Sequence, residues 1–364
     1  MSPRTKSSLS LVEFSQDVHF DQSVIELFNR AERENFEFGE AWLRNLVVHG
    51  LEQHEHAYLG VLNRGDKAVA VLPILRSVRT RRVRALSTFY TSCYSPVFHA
   101  DLDHSDLVKL CGELKKQLDT GVIQLAPLEK KSSTYESLLL AMKQAGWFVF
   151  PYFCFGNWYL PLRWANYEAY FLERPSKVKN TVVRRKRKFY KAQRGRIVLY
   201  RDSEALNQAI RDYQTIYTQS WKVEEPFAEF MPGLIRLAAK QGWLRLGVAY
   251  YDDTPVAAQL WIVAHGRASI FKLAYDEAYK KLSAGTILTD FLMKHVIDVD
   301  KVSEIDYLIG DDGYKKEWMS HRKERLGLVA FNPYKLDGLV GVINEGARKC
   351  IKYMFSRRRK QRAQ

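Results

Sequence analysis

The sequence predicts an α/β chain of two domains, and three observations carry that prediction. Its 364 residues are enough for two domains of ordinary size. Hydrophobic residues make up 46% and aromatic residues 13%, a globular composition rather than a disordered one. Runs with the two-residue period of strands recur between runs with the 3.6-residue period of helices.

In chain order, 1–10 reads as a polar, mobile leader and 11–14 as a first strand. Residues 23–29 look helical, and 41–48 form an amphipathic helix through Trp42, Leu43, Leu46 and Val47. Residues 58–63, the turn Arg64-Gly65-Asp66 and 68–75 make a β-hairpin. The run 76–84 (RSVRTRRVR) reads as a solvated basic tip. A helix capped by Ser105 extends to 118, followed by a short strand at 122–125. Residues 132–146 form another helix, with Leu138, Leu139, Met142 and Ala145 inward and Gly146 at its end. An aromatic strand follows at 147–155, extended by 158–160. This half shows no chemical constellation. His54 and His56 lack a third ligand. Asp101, Asp103 and Asp106 lack the glycine and terminal glutamate of a calcium loop, and helix capping explains them better.

The second half opens with a helix at 167–172, interrupted at Pro175. Residues 176–196 are the most basic stretch and contain no acidic residue. A solvated helix face and a polyanion-steering surface are both open readings there. A strand (197–200) precedes a helix (203–220) with Leu206, Ile210, Tyr213, Ile216 and Tyr217 on one face. A loop at 221–227 carries Glu224 and Glu225, and a helix at 230–241 is closed by Gly242. Strands at 244–251, 256–264 and 268–274 form a meander with turns at Asp252-Asp253 and His265-Gly266. After a polar connection (275–282), Ser283 is placed to N-cap a helix. That helix begins Ala284, Gly285, Thr286, and its apolar stripe is Leu288, Phe291, Leu292, His295, Val296 and Val299. A buried strand at 305–309 leads into a polar loop, Gly310-Asp311-Asp312-Gly313 and onward to Trp318. In the tail, Leu339, Ile343, Ala347, Cys350, Ile351 and Met354 form a stripe opposite Arg348, Lys349 and Lys352, before a basic cluster at 357–362. This pattern suits an interfacial helix with a polybasic end; packing of the stripe on its own domain is the other reading.

A helix start offers unpaired N–H groups and a positive dipole end to an anionic phosphate. Ala284 and Gly285 are small enough for a diphosphate to lie against the backbone. The segments KLAYDEAYKKLSAGTILTDFLMKHVID (272–298) and EIDYLIGDDGYKKEW (304–318) carry a resemblance. So do the basic run after an aromatic strand (167–189) and TSCYSPVF (91–98). Together they resemble the GNAT-superfamily acyltransferases of the BioF2-like or CelD type, relatives of the FemAB aminoacyl transferases. The resemblance spans most of 30–333. Where the family often shows Pro-Gly, this chain has Ala284-Gly285.

The resemblance implies an α/β (α+β) fold of two tandem GNAT-like domains with mixed, mostly antiparallel sheets flanked by helices. It places a degenerate domain at 1–155, a catalytic one at 156–335, and the basic tail at 336–364. It implies an acyltransferase moving an acyl group from acetyl-CoA or another acyl-CoA to an amine or hydroxyl of a cell-envelope polysaccharide precursor. On that basis one backbone N–H, near Leu273 or Ala274, would polarise the thioester carbonyl. Ser283, Ala284, Gly285 and Thr286 would hold the diphosphate, and Lys315 would meet phosphate or acceptor, an ordinary surface lysine being the other reading. Asp276 and Asp311, with Tyr275 as an acid and Gln259 on acceptor or water, would manage protons; turn or capping roles remain open for the carboxylates. A FemAB-like donor, aminoacyl-tRNA, is the alternative, disfavoured by the lack of a coiled-coil insertion. So is a non-catalytic basic module that binds nucleic acid or membrane.

Net charge is +15, which favours polyanionic partners without choosing among them. Cys93, Cys111, Cys154 and Cys350 lie at no metal-site spacing and suggest no disulfide framework. The P-loop, the dinucleotide fingerprint and zinc patterns are absent, so no metal is expected. With no signal-peptide core and no membrane-length apolar run, the expected location is cytoplasmic, with peripheral contact at the inner membrane face through the tail.

Overall fold

The structure is a computed structural model that describes residues 7–361 apart from Arg81 and Ser203, with side chains described up to 348. The chain forms two compact units. One comprises residues up to 32, 37–154 and those from 324 on; the other comprises 33–36 and 155–323.

The first unit contains β1 (Ser7–Glu13), α1 (Gln22–Glu34) apart from its last two residues, α2 (Glu40–His49), β2 (Glu55–Arg64), β3 (Lys67–Ser77), β4 (Val83–Ala85), β5 (Val97–Phe98), α3 (His104–Gln117), β6 (Val122–Glu129) and α4 (Ser133–Gln144). The strand β7 (Phe148–Pro161) leads on to the second unit. The sheet order is β1-β2-β3-β4-β6 followed by β13 (His321–Phe331), with β5 paired to β3. Neighbours are antiparallel except β4 and β6, which run parallel. Leu62, Leu72, Leu110, Leu114, Leu138 and Ala141 are core residues between the sheet and the α3–α4 pair.

Two expectations are corrected here. Residues 7–10, read as leader, belong to β1 and pair with Val61 to Arg64, because Leu9 and Leu11 alternate apolar positions that the edge of β2 can bury. The cap of α3 is Asp103, whose carboxylate accepts from Asp106 N at 2.9 Å; Ser105 lies inside the helix. The final helix, α11 (Leu336–Gln361), places Gly341 against Phe331, where a Cβ would lie 2.2 Å from the ring. Leu336, Leu339, Val340 and Ile343 consequently face outward and are exposed. The expected side chains of Lys349, Cys350, Ile351, Lys352, Met354 and the cluster at 357–362 lie outside the described residues. Among the described residues no helix is long and apolar enough to cross a membrane.

The second unit continues with α5 (Tyr167–Leu172), α6 (Ser176–Phe189), β8 (Gly195–Tyr200), α7 (Leu206–Thr218), α8 (Phe230–Lys240), β9 (Leu244–Tyr251), β10 (Thr254–Ala264), β11 (Arg267–Tyr275), α9 (Ala284–Asp298), β12 (Glu304–Asp306) and α10 (Gly313–Trp318). Its sheet runs β7-β12-β11-β10-β9-β8. The β10–β11 turn is the expected His265-Gly266, both left-handed at φ 49° and 78°, as a two-residue hairpin requires. The helix α9 presses on the sheet where Gly247 leaves room: a Cβ there would lie 2.8 Å from Leu288 Cδ1. Its buried surface is wider than the expected stripe and includes Ile287, Met293 and Ile297, whereas Val299 is exposed.

The parallel pairing of β11 with β12 is short. Arg267, Ala268 and Ser269 face Glu304, Ile305 and Asp306, and there it stops. The expected strand to 309 ends early because the Asp306 carboxylate accepts from Leu308 N at 2.7 Å, a local turn that competes with the ladder. Leu308 is left-handed at φ 54°. The strand β11 runs on to Tyr275 with β10 on one side only, so a gap opens beside it.

Candidate active site at the opening between two parallel strands

The gap continues into a cavity of about 600 Å³. The end of β11 supplies Leu273, Ala274 and Tyr275, and the first turn of α9 supplies Ser283, Ala284, Gly285 and Thr286. Gln259, Thr289, Tyr307, Tyr314 and Trp318 line its depth, and Lys177, Val178 and Thr181 of the basic helix α6 line another wall. At the edge Lys177 Nζ meets Glu317 at 2.7 Å.

The start of α9 departs from the expected cap. Ser283 is left-handed at φ 56° and its side chain makes no capping bond. Its carbonyl accepts instead from Thr286 N at 3.0 Å and Ile287 N at 3.2 Å. The N–H groups of Ala284 and Gly285 precede these, and a helix cannot satisfy such donors by itself. This turn is held from behind: Gln259 Nε2 donates to Gly285 O at 2.9 Å and Thr289 Oγ1 at 2.8 Å, and Trp261 Nε1 donates to Gln259 Oε1 at 3.0 Å. With both ends of its amide engaged, Gln259 positions the helix start.

The ladder decides which amides face the gap. Asp276 N donates to Val256 O at 2.9 Å. In an antiparallel pair, donors alternate every second residue. Ala274, opposite Ala258, therefore turns its N–H towards β10, and Leu273 and Tyr275 turn theirs towards the gap.

Tyr275 packs its ring on Trp221 at 4.3 Å, and burial raises its pKa. Tyr307 is buried, and desolvation holds its phenol far above the usual value. Tyr314 sets its ring edge-on to Tyr307 at 5.8 Å. Desolvation and then the nearby Asp312 charge raise its pKa, so it stays protonated at neutral pH.

Three expected site residues are engaged outside the cavity lining. Asp276 caps the turn that follows β11, accepting from Ala278 N at 2.8 Å. Asp311 accepts two bonds from Arg322 Nε at 3.0 Å and one from Nη2 at 2.7 Å, with Trp158 Nε1 at 2.8 Å. The hydrogen bonds from Arg322 hold its carboxyl below the ordinary range, which makes it a poor proton acceptor. Lys315 is buried, and its ammonium donates to the carbonyl of Ile309 and lies 3.3 Å from Asp312. Sequence reasoning passed over Thr181, Thr289, Tyr307, Tyr314 and Trp318. The signal for the last two was the four-residue spacing of Tyr314 and Trp318, which marks one helix face.

Residues 176–316 match the family described as acetyltransferase (GNAT) domain. Among solved structures, the chain is similar to FemX at 10% identity, covering 90% of this chain and 98% of that one, with a TM-score of 0.58. It is similar to the C-terminal domain of a putative lysylphosphatidylglycerol synthetase from Agrobacterium fabrum, at 12% identity, 88% and 95% coverage and a TM-score of 0.55. A tandem GNAT protein from the clavulanic acid biosynthesis pathway is similar at 10% identity, 90% and 99% coverage and a TM-score of 0.51. These likenesses concern the fold. No curated protein matches the chain.

Proposed function

We propose that this chain is a GNAT-type acyltransferase, as the match over residues 176–316 supports, and that it takes its acyl group from acyl-CoA, acetyl-CoA first among them. The acceptor in this reading is an amine or hydroxyl of a cell-envelope polysaccharide precursor. One observation carries the donor assignment: the first turn of α9 and the outward N–H of Leu273 border one cavity. Diphosphate oxygens would lie on the amides of Ala284 and Gly285. The thioester carbonyl would accept from Leu273 N–H as negative charge develops on its oxygen. The acceptor nitrogen or oxygen attacks the carbonyl carbon, the C–S bond breaks, and the thiolate takes a proton from Tyr314. Tyr275 remains a second candidate acid, and the acceptor's own proton would leave through water. Asp276 and Asp311 shape the loops around the reaction in this scheme. Two tandem GNAT-like domains, divided near 155 and 335, are the domain arrangement that accompanies it.

Calorimetric titration with acetyl-CoA and longer acyl-CoAs tests the donor. A Cβ at Gly285 would only touch Tyr275 Cδ1 at 3.5 Å, so Gly285→Glu adds charge at the amides without forcing the backbone. Wild type should bind, and the variant should bind at least about a hundredfold more weakly, since a like charge in contact costs several kcal/mol. Equal affinities would refute the diphosphate site.

A second donor, aminoacyl-tRNA, is favoured by one specific feature. The helix α6 exposes Arg184, Arg187 and Lys188 beyond the end that lines the cavity. Wild type that ignores every thioester yet binds aminoacyl-tRNA, with affinity falling steeply in salt, would select this reading. The outward apolar strip of α11 supports peripheral contact with an anionic membrane.

A further inference from the structure

The opening beside β11 has a second side. Along β11, Leu273 faces Gln259 and so shares the α9 side of the sheet, whereas Lys272 faces Leu260 on the opposite side. There Lys272 Nζ lies 5.8 Å from the Tyr217 ring of α7. Lys222, on the loop from α7 to α8, lies 5.8 Å from that same ring and 5.8 Å from the ring of Trp221. Trp221 itself lines the cavity.

The charges around Lys222 do not cancel. Glu225 is 2.8 Å from Lys272, and Asp312 is 3.3 Å from Lys315. Each carboxylate is thereby matched to a different lysine. Lys222 is half-buried, and among the described residues it has no carboxylate within 4 Å. Desolvating an ammonium beside other ammonium groups is unfavourable unless an anion completes the site.

We infer that Lys222, flanked by Lys272 and Tyr217, is the anion-binding subsite for the acceptor, which therefore carries a carboxylate or phosphate close to its nucleophile. This rests on the acyltransferase reading: the donor occupies the α9 side and the acceptor reaches the thioester from the α7 side. The electrostatics agree. Burial, and then Lys272, lower the Lys222 pKa to about 8, with Lys315 adding to the effect and Glu225 and Asp312 opposing it. A bound anion would favour the charged form, so affinity should fall as pH rises through that value.

The test is calorimetry with two simple probes, sulfate in place of a phosphate group and acetate in place of a carboxylate. Neither changes charge between pH 7 and 9.5. Protein saturated with coenzyme A, whose diphosphate would occupy the α9 amides, should bind at least one probe at pH 7. Affinity should fall more than about tenfold by pH 9.5, as a cation of pKa near 8 discharges. Which probe binds identifies the acceptor's anion. Lys222→Gln should weaken binding about tenfold or more at pH 7 and flatten the pH profile, with coenzyme A affinity unchanged. Lys222→Arg should restore binding and abolish the fall, because a guanidinium keeps its charge. No binding to wild type, or Lys222→Gln matching wild type, overturns the subsite. Failure of wild type to bind coenzyme A defeats the donor reading instead, and the same probes on free wild type and Lys222→Gln protein still decide the subsite.

Discussion

Both units contain a helix leading into a strand that runs parallel to an earlier one: α3 before β6, which pairs with β4, and α9 before β12, which pairs with β11. The two helix starts are chemically opposite. At α3 the Asp103 carboxylate takes Asp106 N, and Asp106 itself accepts from Ser7 Oγ at 3.2 Å and pairs with Arg64. At α9 the first turn has no acidic residue, and the cap is a backbone carbonyl. A helix start that brings its own anion is satisfied and would repel a diphosphate; one without leaves its amides for a ligand. The tyrosines differ in the same sense. Tyr94 of the first unit is buried and spends its hydroxyl on Pro73 O at 2.9 Å, whereas Tyr314 borders the cavity. The proposed chemistry would thus belong to one of two units with related local order.

The comparison can be broken at three points. Tyr314→Phe removes the proposed acid and should lower kcat about a hundredfold, with acyl-CoA affinity retained; single-turnover thiol release measures it, and an unchanged rate would return the role to Tyr275 or water. Ser283→Asp gives α9 the anion that α3 owns. Aspartate tolerates the left-handed backbone, so the protein should fold, and acyl-CoA affinity should drop by about 2 kcal/mol, roughly thirtyfold. Calorimetry that finds no drop would remove the contrast between the helix starts. The smallest effect is expected from Asp103→Ala. Loss of that cap should cost about 1 kcal/mol of stability, read from denaturant midpoints, and should leave acyl-CoA binding alone; a changed affinity would mean that the first unit takes part in donor binding.

Much of the arrangement was legible in the residues because local chemistry dictates it. His265-Gly266 can close a two-residue hairpin, and small residues at 284 and 285 can begin a helix near a ligand. What escaped depends on partners distant in sequence or on competing local bonds. Arg322 claims Asp311 from eleven residues away, and Asp306 cuts β12 short by folding its carboxylate onto Leu308 N. The six residues of α10 read as a polar loop, since Gly310 to Gly313 suggest turns and one helical turn has little periodicity. That concealed Tyr314 and Trp318. Ser283 was a plausible side-chain cap; its left-handed backbone cannot be read from residue type. The tail's apolar stripe was visible, but its direction depends on Gly341 seating against Phe331.

The two residues at the threshold of α9 answer to different masters. Ser283 holds a backbone shape that most side chains resist, at φ 56°, so the protein's own architecture restricts what can stand there. Gly285 has room for a methyl group and only ordinary contact with Tyr275. Among the described residues nothing demands glycine at that spot; if it is irreplaceable, the guest molecule is the reason.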